Sequence, residues 1–115
     1  MAKRPLERFR GLCLELPEAY EEETWGQATF RVRKKIFAMS MSGESAITVC
    51  MKAQREDQHA MLAQGEPFLS PPYLGPKGWI GVDLAANNVD WVEISELVRE
   101  SYRLVAPKRL SSLIG

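Results

Sequence analysis

Behind Pro5, the apolar residues Leu6, Phe9, Leu12, Cys13 and Leu16 recur at spacings of three and four. That period predicts an amphipathic helix ended by Pro17. Pro5 suits its first turn, where a backbone N–H would go unpaired in any case. Downstream the period drops to two. Phe30 and Val32 alternate with Arg31 and Arg33; Phe37, Met39 and Met41 alternate with Ile36, Ala38 and Ser40; Ile47, Val49 and Met51 alternate with Ala46, Thr48, Cys50 and Lys52. Three such runs with short gaps predict an antiparallel meander with one buried face.

The pattern also suggests a register. A two-residue turn at Lys34-Lys35 sets Val32 opposite Phe37 and Phe30 opposite Met39. A three-residue loop at Ser42-Gly43-Glu44 sets Met39 opposite Ile47 and Phe37 opposite Val49. Both keep the apolar residues on one face, and a slip of one residue would move them to the other. Lys34-Lys35 conflicts with this scheme in one respect, because two-residue hairpins favour Asn-Gly or a glycine at the tip. The opposite face then carries Arg31, Arg33, Ala38, Ser40, Ala46, Thr48 and Lys52, with Ile36 and Cys50 near one end, and is expected to be wet.

"QREDQHAMLAQG" reads as a short helix stopped by Gly65. Prolines 67, 71, 72 and 76 make the following segment irregular. "WIGVDL" alternates again, with Ile80, Val82 and Leu84 on the core side and Trp79, Gly81 and Asp83 opposite. Trp91, Ile94, Leu97, Val98, Ser101 and Val105 then share a helical face, with Asp90 and Glu93 spaced as a capping box and Pro107 beyond the end. The order predicts an α+β fold: an antiparallel sheet of about five strands, two longer helices on one face, and one short helix.

At 115 residues the chain is one domain, residues 1–115, able to bury roughly two-thirds of its unfolded surface. Fifteen basic and fifteen acidic residues cancel, so an electrostatic site must be a local patch. The basic "MAKRPLERFR" has no apolar stretch behind it, and no apolar run nears the roughly 20 residues that span a bilayer. A cytoplasmic monomer, away from membranes, is expected. Cys13 and Cys50 form no C-x-x-C pair and read as reduced thiols. His59 has no second histidine with which to build a metal site.

Four strings, "CLELPEAYEEETWG", "FRVRKKIFA", "PKGWIGVDL" and "ELVRESYRLVAPK", appear in an order that resembles the MmcQ/YjbR-like family. The resemblance implies a compact α+β domain comparable to double-wing and frataxin-like folds. In the double-wing comparison, strand hairpins contact double-stranded DNA. The family often has Gly-Lys at the first hairpin tip, where this chain has Lys34-Lys35.

The basic cluster Arg31, Arg33, Lys34 and Lys35 is the first candidate site, since clustered cations on a protruding hairpin suit phosphate contact. Lys52, Lys77, Lys108 and Arg109 extend it if the fold brings them near, and Trp79 would supply a stacking ring. Set against that is an ordinary salt-bridged surface. A three-residue loop at Gly26-Gln27-Ala28 puts Glu23 opposite Arg31 and Glu21 opposite Arg33, and a two-residue loop puts Glu22 opposite Arg31. Lys77 has no phosphate-loop context, because "GPKGW" precedes a strand rather than opening a helix. Adjacent Glu21, Glu22 and Glu23 point to alternate faces of a strand and do not converge on a metal. No nucleophile–base pair, metal set or cofactor fingerprint is present, so no catalytic residue and no cofactor are assigned. The expectation is a DNA-binding module using the basic hairpin. A protein-interaction or small-ligand domain using the proline-rich loop and Trp79 is the alternative.

Overall fold

A computed structural model describes residues 4–24, 26–42, 47–71 and 73–114. Helix α1 (Pro5–Leu14) leads into strands β1 (Tyr20–Thr24), β2 (Gln27–Val32), β3 (Lys35–Ser42) and β4 (Ile47–Lys52). Helix α2 (Arg55–Gln64), the two-residue strand β5 (Phe68–Leu69) and strand β6 (Trp79–Asp83) follow, then helices α3 (Trp91–Val105) and α4 (Lys108–Ser111). The strands form one antiparallel sheet in the order β1-β2-β3-β4-β6-β5. The α+β architecture therefore stands, with six strands among the described residues rather than about five. The extra strand, β5, lies in the proline-rich stretch that composition made irregular. Phe68 faces Val82 and Leu69 faces Gly81 there.

The three longer helices occupy one face. Phe9 of α1 meets Phe30 edge-on at 6.0 Å between ring centroids, and Phe37 meets Tyr102 of α3 at 5.5 Å. Helix α2, at ten residues as long as α1, joins them: Met61 enters the core and Gln54 Nε2 donates to Glu100 Oε1 of α3. Ile80, Val82 and Leu84 are buried as their alternation predicts. Asp90 caps α3, its carboxylate accepting from the N–H groups of Val92 and Glu93.

The register departs from the apolar matching. Phe30 faces Ala38, Arg31 faces Ile36 and Val32 faces Lys35, which leaves Phe37 without an opposite residue. This bulge buries Phe37 and Ala38 together, and it turns Ser40 inward and Met39 outward. Along β4, Met51 faces Ala38 and Val49 faces Ser40, three residues from the predicted pairing. One extra residue on β3 thus meets the demand for a buried face without the straight alternation assumed. The proposed loop at Ser42-Gly43-Glu44 falls largely outside the described residues, although Ser42 itself pairs with Ile47.

A bulge interrupts the ladder, and here a helix repairs it. The Ser101 hydroxyl donates to the Phe37 carbonyl and accepts from the Lys52 N–H at 2.9 Å. One buried side chain serves both a donor and an acceptor that strand pairing leaves over.

Candidate functional site

With Val32 facing Lys35, the tip of the β2–β3 hairpin is Arg33-Lys34 rather than Lys34-Lys35. Both tip residues have positive φ, 50° and 69°, the pattern of a type I′ turn. Side chains with a Cβ resist that region by roughly 1 kcal/mol or more each, so two long cations are held where Asn-Gly is the usual choice. Lys35 opens β3 directly beside them.

Arg33 reaches back to Glu18. Its Nε donates to Oε1 at 2.9 Å and its Nη2 to Oε2 at 3.3 Å. Arg109 of α4 approaches the same carboxylate, with Nη2 4.0 Å from Oε2. The hydrogen bond from Arg33 holds the Glu18 carboxyl below the usual range; slight desolvation opposes it, and the charges of Arg33 and Arg109 add to it. Glu18 also has a positive φ of 58°. Its turn is pinned from both sides, by the Tyr102 hydroxyl donating to the Pro17 carbonyl at 2.7 Å and by the Ala19 N–H donating to the Leu16 carbonyl. Buried Leu110 anchors α4, which carries Lys108 and Arg109. Two cations, Arg33 and Arg109, thereby meet at one acid, and Lys34, Lys35 and Lys108 are their near neighbours in the chain.

Arg31 has a different post. It is half-buried on the sheet face away from the helices, where Nε donates to Thr29 Oγ1 and Nη2 to Thr24 Oγ1. Its Nε also lies 3.0 Å from Glu22 Oε2. Across the backbone it faces Tyr20 rather than Glu22 or Glu23, because Gln27 and Ala28 belong to β2 and not to a loop. Glu21 pairs with Arg10 instead of Arg33. Acids do meet bases here: the expected Glu22–Arg31 pair forms between side chains although the two residues are not directly opposite, whereas Glu21 and Arg33 take other partners.

Lys52 ends β4 and faces Trp79, which begins β6, so both lie at the end of the sheet where β3 starts. Strand β6 is two strands from β3, about 10 Å at ordinary spacing. Lys77 sits in the 3-10 turn just before it and is exposed. Trp79 is only 8% exposed and offers little ring surface to a base. Its carbonyl, with that of Gly75, accepts from Gln58 Nε2, which ties the proline-rich loop to α2. Beside it, the Leu69 side chain crosses Gly81 so closely that a Cβ there would lie 2.7 Å from Leu69 Cδ1.

Two residues of this rim escaped the sequence reading. Tyr73, 91% exposed with φ of 65°, is the aromatic that the proline-rich loop displays. Its composition gave no sign, since Trp79 stood closer to the strand and drew the inference. Arg55, at the first turn of α2, reaches the Pro76 carbonyl at 3.5 Å, with acidic Glu56 and Asp57 following it. Among the described residues no group of three or more His, Cys, Asp or Glu is placed to hold a metal ion. A groove of about 370 Å³ lies elsewhere, between α1 and α3, where Arg8 stacks over Trp91 at 4.6 Å.

A protein-family model, YjbR, matches residues 14–104. The chain belongs to the YjbR family. The matched span runs from the turn holding Glu18, through every strand, to the end of α3, and the expected MmcQ/YjbR-like membership is borne out. This YjbR-family domain is similar to the crystal structure of Deinococcus radiodurans protein DR2400, a DUF419 domain, with a TM-score of 0.79 at 22% identity. The match covers 99% of this chain and 92% of that one, and at such identity it speaks for the fold alone. No curated protein matches by sequence. No helix among the described residues is long and apolar enough to cross a membrane.

Proposed function

We propose that this YjbR-family domain is a cytoplasmic binding module that contacts the phosphates of double-stranded DNA through the hairpin tip and α4. The observation that carries the reading is the meeting of Arg33 from the hairpin tip and Arg109 from α4 at Glu18, with Lys34, Lys35 and Lys108 next to them in the chain. Arg33 and Arg109, from distant parts of the chain, thus share one carboxylate, while the molecule as a whole is neutral. Each phosphate neutralised there releases condensed counterions, so affinity comes from charge and not from base readout. Lys52, Lys77 and Arg55 extend the positive rim along the same end of the sheet, and Tyr73 adds an exposed ring.

The domain binds without catalysing a reaction. The buried hydroxyls of α3 and both thiols are taken up by the fold: Ser101 bridges two strands, Tyr102 holds the Pro17 carbonyl, and burial pushes both thiols above their ordinary range. Two free, buried cysteines also suit a reducing compartment.

Fluorescence anisotropy of a labelled duplex, titrated with protein at several salt concentrations, tests the reading. Expected is weak binding, with a dissociation constant on the order of 10⁻⁶ to 10⁻⁴ M, that weakens steeply as salt rises. Replacing Lys34 or Lys35 by Ala lowers the salt slope by about one unit each. Binding indifferent to salt, or surviving charge reversal at Arg33, Lys34 and Lys35 together, overturns the proposal.

A further inference from the structure

The acid at the centre of the cluster needs its own explanation. Glu18 does not form one pair among many. Its two oxygens take the side edge of Arg33 in a two-point grip, and the outer oxygen is also approached by Arg109. A guanidinium edge binds a phosphate through the same two parallel N–H donors that it offers a carboxylate. The carboxylate therefore stands where a backbone phosphate would be gripped. Its backbone is held at positive φ in a turn pinned by the Tyr102 and Ala19 hydrogen bonds, while its half-exposed side chain keeps room to rotate.

We infer that Glu18 is a built-in competitor for phosphate, which occupies the Arg33 and Arg109 donors in the free protein and swings away when a nucleic-acid phosphate takes them. The inference rests on the phosphate-binding reading above. The exchange is cheap, because the ion pair is exposed and such pairs contribute little to stability. The incoming phosphate also meets Lys34, Lys35 and Lys108, which have no carboxylate partner among the described residues. What the competitor achieves is a lowered affinity for scattered phosphates. Only a ligand that engages several of the cations at once displaces the acid.

The test compares the wild-type chain with Glu18→Gln and with Glu7→Gln, a charge-matched control at the far end of α1. Each is titrated with a labelled duplex and, separately, with inorganic phosphate, following the Arg33 and Arg109 Nε–H signals by NMR. Expected for Glu18→Gln is duplex binding about 3- to 10-fold tighter near 0.1 M salt, with a salt slope steeper by about one unit. Inorganic phosphate should then shift the Arg33 Nε–H signal in that variant and leave it nearly unmoved in the wild type. Glu7→Gln should bind as the wild type does. If the wild type binds duplex and Glu18→Gln binds no tighter than Glu7→Gln, the competitor role is overturned and the DNA reading survives. If no chain binds duplex but phosphate still shifts Arg33 only in Glu18→Gln, the DNA reading falls and the masked anion seat stands. If Glu18→Gln responds to neither probe, both are wrong.

Discussion

Ser101→Ala removes a single oxygen from the middle of α3, yet that oxygen closes the gap opened by the β3 bulge. Without it, the Phe37 carbonyl and the Lys52 N–H lose their partner together. Ser101 and Phe37 are fully buried, so the carbonyl has no route to water, whereas Lys52 is half-buried at a strand end. A buried group left unpaired costs about 1–3 kcal/mol, and the partial exposure of Lys52 keeps the total near 2–3 kcal/mol. Alanine's better helix propensity returns only a few tenths of that. An unfolding entropy of about 2.1 cal/mol/K per residue gives about 0.24 kcal/mol/K for this chain, so Tm should fall by about 8–12 °C. Urea unfolding should show a lower midpoint with an unchanged slope. Amide exchange at Lys52 should accelerate beyond what the global loss explains, while Ser95→Ala, six residues earlier on the same helix, leaves it alone. A loss below about 0.5 kcal/mol with Lys52 still protected would refute the repair.

The Tyr102→Phe variant keeps the ring edge-on to Phe37 and loses only the bond to the Pro17 carbonyl, so it should cost about 1 kcal/mol at neutral pH in urea unfolding. Burial, and then the Glu18 charge, raise the Tyr102 hydroxyl above its ordinary value, with Arg33 opposing. Below about pH 10 both folded and unfolded hydroxyls keep their proton; above it the unfolded chain sheds its proton first, and the stabilisation is lost as pH rises through the folded value. The wild type's margin over Tyr102→Phe should therefore shrink in alkali, and a margin that grows there would contradict the assignment. Burial drives Cys50 up to about 12, and it drives Cys13 up as well, with Glu21 and Glu15 adding to the shift. Labelling by a disulfide reagent at pH 8 should be slow in the native protein and complete in denaturant; labelling of either thiol at the rate of a free cysteine would show that its burial is wrong.

How far the fold was legible depended on whether each element carried its own period. Ile94, Val98 and Ser101 recur on a helical face, and Ile80, Val82 and Leu84 alternate, so both elements were readable. The β3 register was not, because Phe37 and Ala38 are consecutive residues that both turn inward, and no period-two reading allows that. Strand β5 has two residues, too few to show any period. Within the site, Arg33, Lys34 and Lys35 were visible as a charge run and Arg109 as a cation of unknown address. Glu18 was hidden because its partner lies fifteen residues on and its role rests on a turn pinned by α3. Trp79 drew attention by residue type, but its burial and the Gln58 hydrogen bond to its carbonyl make it part of the packing.

The bulge that confounded the register is also what builds the site. On an unbulged hairpin turning at Lys34-Lys35, Arg33 would be a strand residue two positions from Arg31, pointing to the same sheet face. The extra residue in β3 moves the turn back by one and lifts Arg33 out of the strand into a positive-φ position. From there its guanidinium reaches across to Glu18, while Arg31 stays on the sheet with Thr29, Thr24 and Glu22. The hydroxyl that stabilises the bulge belongs to Ser101, and the hydroxyl that pins the Glu18 turn belongs to its neighbour Tyr102. Two consecutive residues of α3 thus set both halves of the contact, the cation and the acid, and α4 follows directly from the same helix with Arg109. The electrostatic corner is positioned from the core outward, and its geometry is a consequence of how one helix satisfies two backbone carbonyls.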